Sequence, residues 1–232
     1  MIDIRPFAGL GHADHGWLNA THHFSFADYH EPDRMAWGAI RVWNDDEIAP
    51  QSGFPPHPHR DMEIVTFVRS GAITHQDNLG NKGRTAAGDV QVMSAGTGIV
   101  HGEFNLENEA TTLFQIWILP DRAGAPPSWG QREFPRGARA GTWEILASGD
   151  AERDGALPIR CDARVLAATL AAGESVTYPA DPARHQYLVA PSGRIRVNGL
   201  EANPRDGVAI TGETSITVEA FDDAEVVMVD SR

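Results

Sequence analysis

Four side chains able to hold a metal ion lie in two short stretches of this chain. The first is Gly53-Phe54-Pro55-Pro56-His57-Pro58-His59; the second is Ala95-Gly96-Thr97-Gly98-Ile99-Val100-His101-Gly102-Glu103. In an extended strand, residues i and i+2 project to one face, so His57 points with His59 and His101 with Glu103. Pro58 has no N–H to donate, which suits a rim or an edge rather than the middle of a sheet. If the two strands are neighbours, three imidazoles and one carboxylate converge. That donor set suits a borderline first-row divalent ion such as Fe(II), Mn, Ni or Zn. An octahedral ion held by four protein atoms keeps two positions open, as a catalytic centre requires and a structural one does not. A lone His-x-His is more often a pair of surface or hydrogen-bonded histidines. The second pair, placed behind a Gly-x-Gly turn, shifts the balance to a metal.

Glu63 competes with Glu103. It lies four residues after His59 and shares its strand parity, so it could be a ligand or could orient an imidazole from behind. A bulge between Arg60 and Met62 would change the phase. Residue spacing leaves the choice open.

The elements that must position these groups read as strands. Segments such as Glu63-Ile64-Val65-Thr66-Phe67-Val68, Thr112-Leu113-Phe114-Gln115-Ile116-Trp117-Ile118 and Ser215-Ile216-Thr217-Val218-Glu219 are rich in β-branched and aromatic residues with period two. Turn signals recur at Ser70-Gly71, Asn78-Leu79-Gly80, Gly88-Asp89, Ser192-Gly193 and Asn198-Gly199. Long amphipathic helical patterns are absent, so the expectation is an all-β sandwich or barrel. The run Thr66 to Val92 is echoed by Tyr187 to Ile210: strand, Ser-Gly turn, strand, loop, Gly/Asp turn, strand. This predicts a duplicated barrel, with the Pro-, Gly- and Arg-rich stretch 119–140 as the linker.

Composition excludes several classes. The 232 residues suffice for one large domain or two small ones, and an apolar fraction of 41% supports a packed core. No apolar run approaches the roughly 20 residues that cross a bilayer. The N-terminus has an acid where a secretory signal needs lysines, so the cytoplasm is the default address. A formal charge of −13 with scattered basic residues argues against nucleic acid as a partner. The single cysteine, Cys161, forms no internal disulfide and sits among ordinary strand or loop residues.

The chain resembles the pirin family of the cupin superfamily, most nearly the short bacterial pirin-like proteins described as quercetin 2,3-dioxygenases. The resemblance rests on Gly11-His12-Ala13-Asp14-His15-Gly16-Trp17-Leu18, His23-Phe24-Ser25-Phe26-Ala27-Asp28-Tyr29, Arg41-Val42-Trp43-Asn44-Asp45-Asp46 and His57-Pro58-His59-Arg60-Asp61-Met62-Glu63. It continues through His75-Gln76-Asp77-Asn78-Leu79-Gly80-Asn81 and Met93-Ser94-Ala95-Gly96-Thr97-Gly98-Ile99, and is thin after Pro120. It implies a two-domain cupin, or bicupin, of two stacked jelly-roll-like β-barrels. The metal-binding barrel is expected over 1–130 and a barrel without metal over 131–232, where His185 is the only histidine.

The family's His-x-His falls on His57 and His59 and its His-x-Glu on His101 and Glu103. The resemblance therefore favours Glu103 over Glu63, the position general cupins use. It implies one divalent ion, iron(II) first, with Mn, Ni, Zn, Co or Cu accepted. The implied reaction is O2-dependent cleavage of a flavonol such as quercetin with loss of carbon monoxide. Glu103 would serve both as ligand and as the group that takes the substrate's hydroxyl proton.

The rival reading is a metal- or redox-dependent protein-binding regulator without essential catalysis. A third is another cupin reaction on a charged substrate, for which Arg41, Arg60 or Lys82 would have to face the pocket. Among the N-terminal histidines His12, His15, His22, His23 and His30, either His22 or His23 lines the pocket, or all form a hydrogen-bonded strap. His75 is expected beside the site or paired with Asp77, not as a ligand. Trp37, Trp43, Phe67, Phe114 and Trp117 read as core or pocket wall. A monomer is the default, since two barrels cover each other's sheets.

Overall fold

The computed structural model describes residues 1–232. The only α-helix is the single turn Ala151–Asp154, and no helix is long and apolar enough to cross a membrane. Apart from three short 3-10 turns at Phe7–Gly9, Pro32–Arg34 and Arg136–Arg139, the remaining regular structure is β, in two seven-stranded and two four-stranded sheets.

In the N-terminal unit the large sheet runs Ser128–Arg132, Val90–Ser94, Glu63–Ser70, Thr111–Ile118, Ile40–Ile48, Leu18–His22, Gly11–Asp14. The small sheet runs Ser52–His59, Ile99–Asn105, Ala72–Asp77, Lys82–Ala86. In the C-terminal unit the large sheet runs Ile2–Arg5, Gly207–Thr211, His185–Ser192, Ala224–Ser231, Ala163–Leu170, Glu144–Ser148, Leu157–Pro158. Its small sheet runs Ser175–Pro179, Ser215–Ala220, Ile195–Val197, Leu200–Ala202. The two orders correspond position by position, so the sequence echo is a duplicated architecture. Each unit is a jelly-roll-like pair of sheets rather than a closed barrel.

One edge position in each unit is filled by a strand that lies outside that unit's main run of sequence. Ile2–Arg5 pairs with Gly207–Thr211 in the C-terminal sheet, and Ser128–Arg132 pairs with Val90–Ser94 in the N-terminal one. The stretch 119–140 is therefore more than a linker. It also contains Arg139, which is fully buried and donates to Glu225 and to the carbonyls of Gly88 and Phe134.

The two large sheets pack face to face. Odd-numbered residues of Glu63–Ser70 (Val65, Phe67) and Trp43, Phe114 and Ile116 meet Val165, Tyr187, Val227 and Val229 in a core of 24 buried residues. At roughly 1.5–3 kcal/mol per fully buried apolar side chain, this seam is the largest hydrophobic contribution in the molecule and holds the two units together. The interior of the C-terminal unit is a second core of 18 buried residues, apolar throughout. The interior of the N-terminal unit differs. It holds only two small apolar clusters, of six and four residues, and the space between them is polar.

Candidate metal centre

Strands Ser52–His59 and Ile99–Asn105 are antiparallel neighbours, with His57 directly opposite His101. Between His101 and Glu103 the register slips by one residue, absorbed at Pro55-Pro56, which have no amide hydrogen to contribute to a ladder. The other neighbour of Ile99–Asn105 is Ala72–Asp77, in which Asp77 faces His101 and His75 faces Glu103. Strand parity thus turns all these side chains into the N-terminal unit.

The rings of His57, His59 and His101 surround one point. Their centroids are 4.8, 4.5 and 5.0 Å apart, and their candidate ligand nitrogens all lie within 4.8 Å of one another. Donors around a single ion with bonds of about 2.0–2.2 Å lie at most about 4.4 Å apart, so only small side-chain adjustments separate this arrangement from a coordination sphere. His57 Nδ1 donates to the carbonyl of Pro55 at 2.7 Å, which leaves Nε2 with its lone pair free. His101 is 2% exposed, and its Nε2 is buried with no hydrogen-bond partner. A buried nitrogen without a partner is costly unless something absent from the polypeptide takes its lone pair. The donor set and this orphaned atom both fit a divalent cation.

Glu103 is 2% exposed and held from three directions. Thr66 Oγ1 and Gln91 Nε2 donate to Oε1, and Gln115 Nε2 donates to Oε2. Both amide orientations are set by further bonds: Gln91 Oε1 accepts from Thr85, and Gln115 Oε1 accepts from the Trp117 indole at 3.2 Å. Oε2 has one protein donor against two at Oε1, so it keeps the freer lone pair. A Glu103 oxygen lies within 4.8 Å of ring nitrogens of both His75 and His101.

Burial pushes Glu103 up to about 7, against the opposing hydrogen bonds from Gln115, Thr66 and Gln91. Burial, with His57 adjacent, lowers His59 to about 4; burial, with His57 and His59 adjacent, lowers His101 to about 2. Without a cation, His59 and His101 therefore stay neutral, as ligands must be.

Glu63 faces the other way. Asp61 adopts φ 46°, a left-handed turn that breaks the parity count from His59. Glu63 then lies on the face toward the C-terminal unit, where Ser94 Oγ donates to its Oε2 at 2.6 Å and burial raises its pKa. Of the N-terminal histidines, His22 lines the cavity beside the site and shares a 2.8 Å hydrogen bond with Asn44. His23, next in the strand direction, points into the seam and pairs with the Tyr187 hydroxyl at 2.9 Å. His12 and His15 also line the cavity; His30 does not.

That cavity measures about 580 Å³. Phe26, Tyr29, Phe54 and Trp117 form apolar walls, and His57, His59 and Glu103 open onto it. Asp46 lines it too, 2% exposed, with Oδ1 buried and unpartnered; burial first, then the nearby Asp45 and Glu103, raises its pKa well above the usual range. No lysine or arginine lines the cavity, and Arg41 donates instead to the carbonyl of Ser25. This removes the feature that a charged-substrate reaction needs. Trp37, Trp43, Phe67 and Phe114 belong to the seam between the units or pack against it. A wider cleft of about 860 Å³ lies elsewhere, around Arg160 and Asp162. Several of its arginines are already paired, Arg164 with Asp154 and Arg184 with Asp162 and Asp230, so it offers no concentrated charge.

Gln91, Gln115 and Thr66 carry no signal as a motif. Their sequence trace is a polar residue at an inward position of an otherwise apolar strand, as in Val90-Gln91-Val92 and Phe114-Gln115-Ile116.

Two family descriptions match the chain: Pirin over residues 4–118 and Quercetinase C-terminal cupin domain over residues 145–231. A Pirin-like protein of Caulobacter vibrioides is 63% identical over 231 residues, covering 100% of both chains. The Quercetin 2,3-dioxygenase of Escherichia coli K12 is 42% identical over 231 residues, covering 99% of this chain and 98% of that one. The crystal structure of the bacterial pirin YhhW from Escherichia coli in complex with nickel(II) superposes with a TM-score of 0.93. It is 40% identical, and the match covers 100% of this chain and 99% of that one.

Proposed function

From the premise that the chain belongs to the pirin family of two-domain cupins, we propose that it is a metal-dependent dioxygenase that opens the ring of flavonol-type substrates such as quercetin with O2. The observation that carries this reading is His101, with a buried, unpartnered Nε2, grouped within 4.8 Å with His57 and His59, two residues that line an aromatic cavity. We assign His57, His59, His101 and Glu103 as ligands of one divalent ion in the 1–130 unit. Iron(II) is the first choice, and Mn, Ni, Zn, Co or Cu also suit these donors. The 131–232 unit, with its apolar interior, serves as scaffold.

When bound, the ion supplies Lewis acidity toward the substrate's adjacent hydroxyl and carbonyl oxygens and the electronic access to O2 that closed-shell organic groups lack. The polypeptide does the rest. Phe26, Phe54 and Trp117 fit a flat polyphenol, and the 580 Å³ volume admits one such molecule. Glu103, which lines the cavity, would take the proton of the substrate's hydroxyl, while Gln91 and Gln115 hold the carboxyl in place. Trp117 packs edge-on against His59 at 5.0 Å and keeps that ring turned to the centre.

The test is oxygen uptake and carbon monoxide release with quercetin by iron(II)- or nickel(II)-loaded protein, against His101→Ala. Loss of at least 100-fold in the variant is expected. Equal turnover would remove the assigned site from the reaction.

A further inference from the structure

His75 lies beside the centre without opening onto it. Its Nε2 is 3.0 Å from Asp77 Oδ2, and its Nδ1 is 3.3 Å from Nδ1 of His101. All three residues are buried or nearly so. Asp77 is an acceptor on every side: its Oδ1 takes the amides of Leu79 and Asn81, and its Oδ2 takes the Asn81 side chain as well as His75. A carboxylate in that role has no proton to give, so the hydrogen of the His75–Asp77 bond belongs to His75 Nε2. A neutral imidazole protonated at Nε2 has only an acceptor at Nδ1. The hydrogen between the two rings must then come from His101 Nδ1. His101 is left with its lone pair at Nε2, the atom that has no partner in the polypeptide. With Nδ1 taken up by His75, Nε2 is the ring nitrogen left to join those of His57 and His59, which lie within 4.8 Å of a His101 nitrogen.

We infer that Asp77 and His75 form a two-bond relay that locks His101 in the tautomer whose Nε2 faces the centre, making His75 a positioning residue and not a ligand. The inference rests on the assignment of His101 as a ligand. It also resolves a second grouping, in which His75, His101 and Glu103 bring ligand atoms within 4.8 Å of one another. Both nitrogens of His75 are already engaged, so that grouping has one usable imidazole and cannot hold an ion by itself. Two further features keep the His75 ring in register. Trp129 stacks on it at 4.7 Å and 9°, and Gly83, its cross-strand partner, leaves room for that stack. A Cβ at Gly83 would lie 2.3 Å from the Trp129 ring.

The relay makes opposite demands on similar substitutions. Asp77→Asn keeps an oxygen for Leu79 and Asn81 and turns an amide N–H toward His75. That forces the proton of His75 to Nδ1 and the proton of His101 to Nε2, where it blocks the metal. His75→Gln keeps an acceptor for His101 and a donor for Asp77, and His75→Phe keeps the stack on Trp129 but no acceptor.

Nickel(II) affinity is measured by chelator competition, and the protonated nitrogen of His101 is read from ¹⁵N imidazole shifts of the metal-free protein. The expected result is Nδ1–H in the parent, 10–100-fold weaker nickel binding in Asp77→Asn and His75→Phe, and affinity within a few-fold of the parent in His75→Gln. A parent spectrum with the proton on Nε2, or equal nickel affinity in Asp77→Asn and parent, would overturn the relay. Should His75→Phe fail to fold, the Asp77→Asn pair and the parent spectrum still decide it. A parent that binds no nickel would sink the ligand assignment instead, while its tautomer spectrum would still report on the relay.

Discussion

Asp45 of the N-terminal unit, with no exposed surface, is held by Arg205 of the C-terminal unit at 2.6 Å and by Arg69 of its own unit. Its neighbours Asn44 and Asp46 turn the opposite way, toward the cavity. One strand, Ile40–Ile48, thus ties the units together on one face and shapes the candidate substrate site on the other.

Removing this shared anion should be costly. Asp45→Ala leaves Arg69 in a largely buried place without its counter-charge, and a loss of about 3–5 kcal/mol is expected. Arg205, about one-third exposed, should lose under about 1 kcal/mol on substitution by alanine. Urea unfolding of the two variants checks the ranking; similar midpoints would contradict it.

Acid should destabilise the seam through His23. Burial, aided by the nearby Arg205 and Arg5, lowers this residue to about 3, against an ordinary value of 6.5. Between those values the unfolded chain binds a proton that the folded chain refuses. The contribution is therefore complete above pH 6.5 and declines as pH falls, by about 1.4 kcal/mol per unit. From pH 7.5 to pH 5 the parent should lose about 2 kcal/mol more than His23→Gln, as read from urea midpoints at each pH.

Asp46 should show a trade between stability and binding. Its buried carboxyl has an oxygen without a partner, which opposes folding. Asp46→Leu is expected to raise stability by about 1–2 kcal/mol at pH 8 and to weaken quercetin binding, since the cavity loses a polar contact for a substrate hydroxyl. Thermal unfolding and fluorescence titration test the two halves. A variant less stable than the parent would contradict the first.

Gly83→Ala should unseat Trp129 from His75 because the new methyl overlaps its ring. Nickel(II) affinity about 10-fold lower, with a red-shifted tryptophan emission, is the expected outcome. Unchanged affinity would show that the stack does not position the histidine.

Much of this was legible along the chain. The parity of His57 with His59, and of His101 with Glu103, is local geometry that any extended backbone imposes. The alternation of apolar and polar residues and the Gly-rich turns announced the strands. The echo between 66–92 and 187–210 announced two like units, and the matching sheet orders agree with it.

What the sequence could not carry was every choice that depends on a partner strand or on one backbone angle. Glu63 had the right count from His59, but Asp61 at φ 46° turned it to the opposite face. His22 and His23 were equal candidates until neighbouring strands sent one to the cavity and the other to Tyr187. Ile2–Arg5 crosses to the far sheet, and 119–140 contributes a strand, because an open sheet edge is satisfied by whatever segment reaches it. The proton positions on His75 and His101 follow only from which acceptor each ring meets. Side-chain direction within a strand is a property of two bonds and can be read from spacing; which strands meet, and which atoms then share a proton, is decided by packing between segments far apart in the chain.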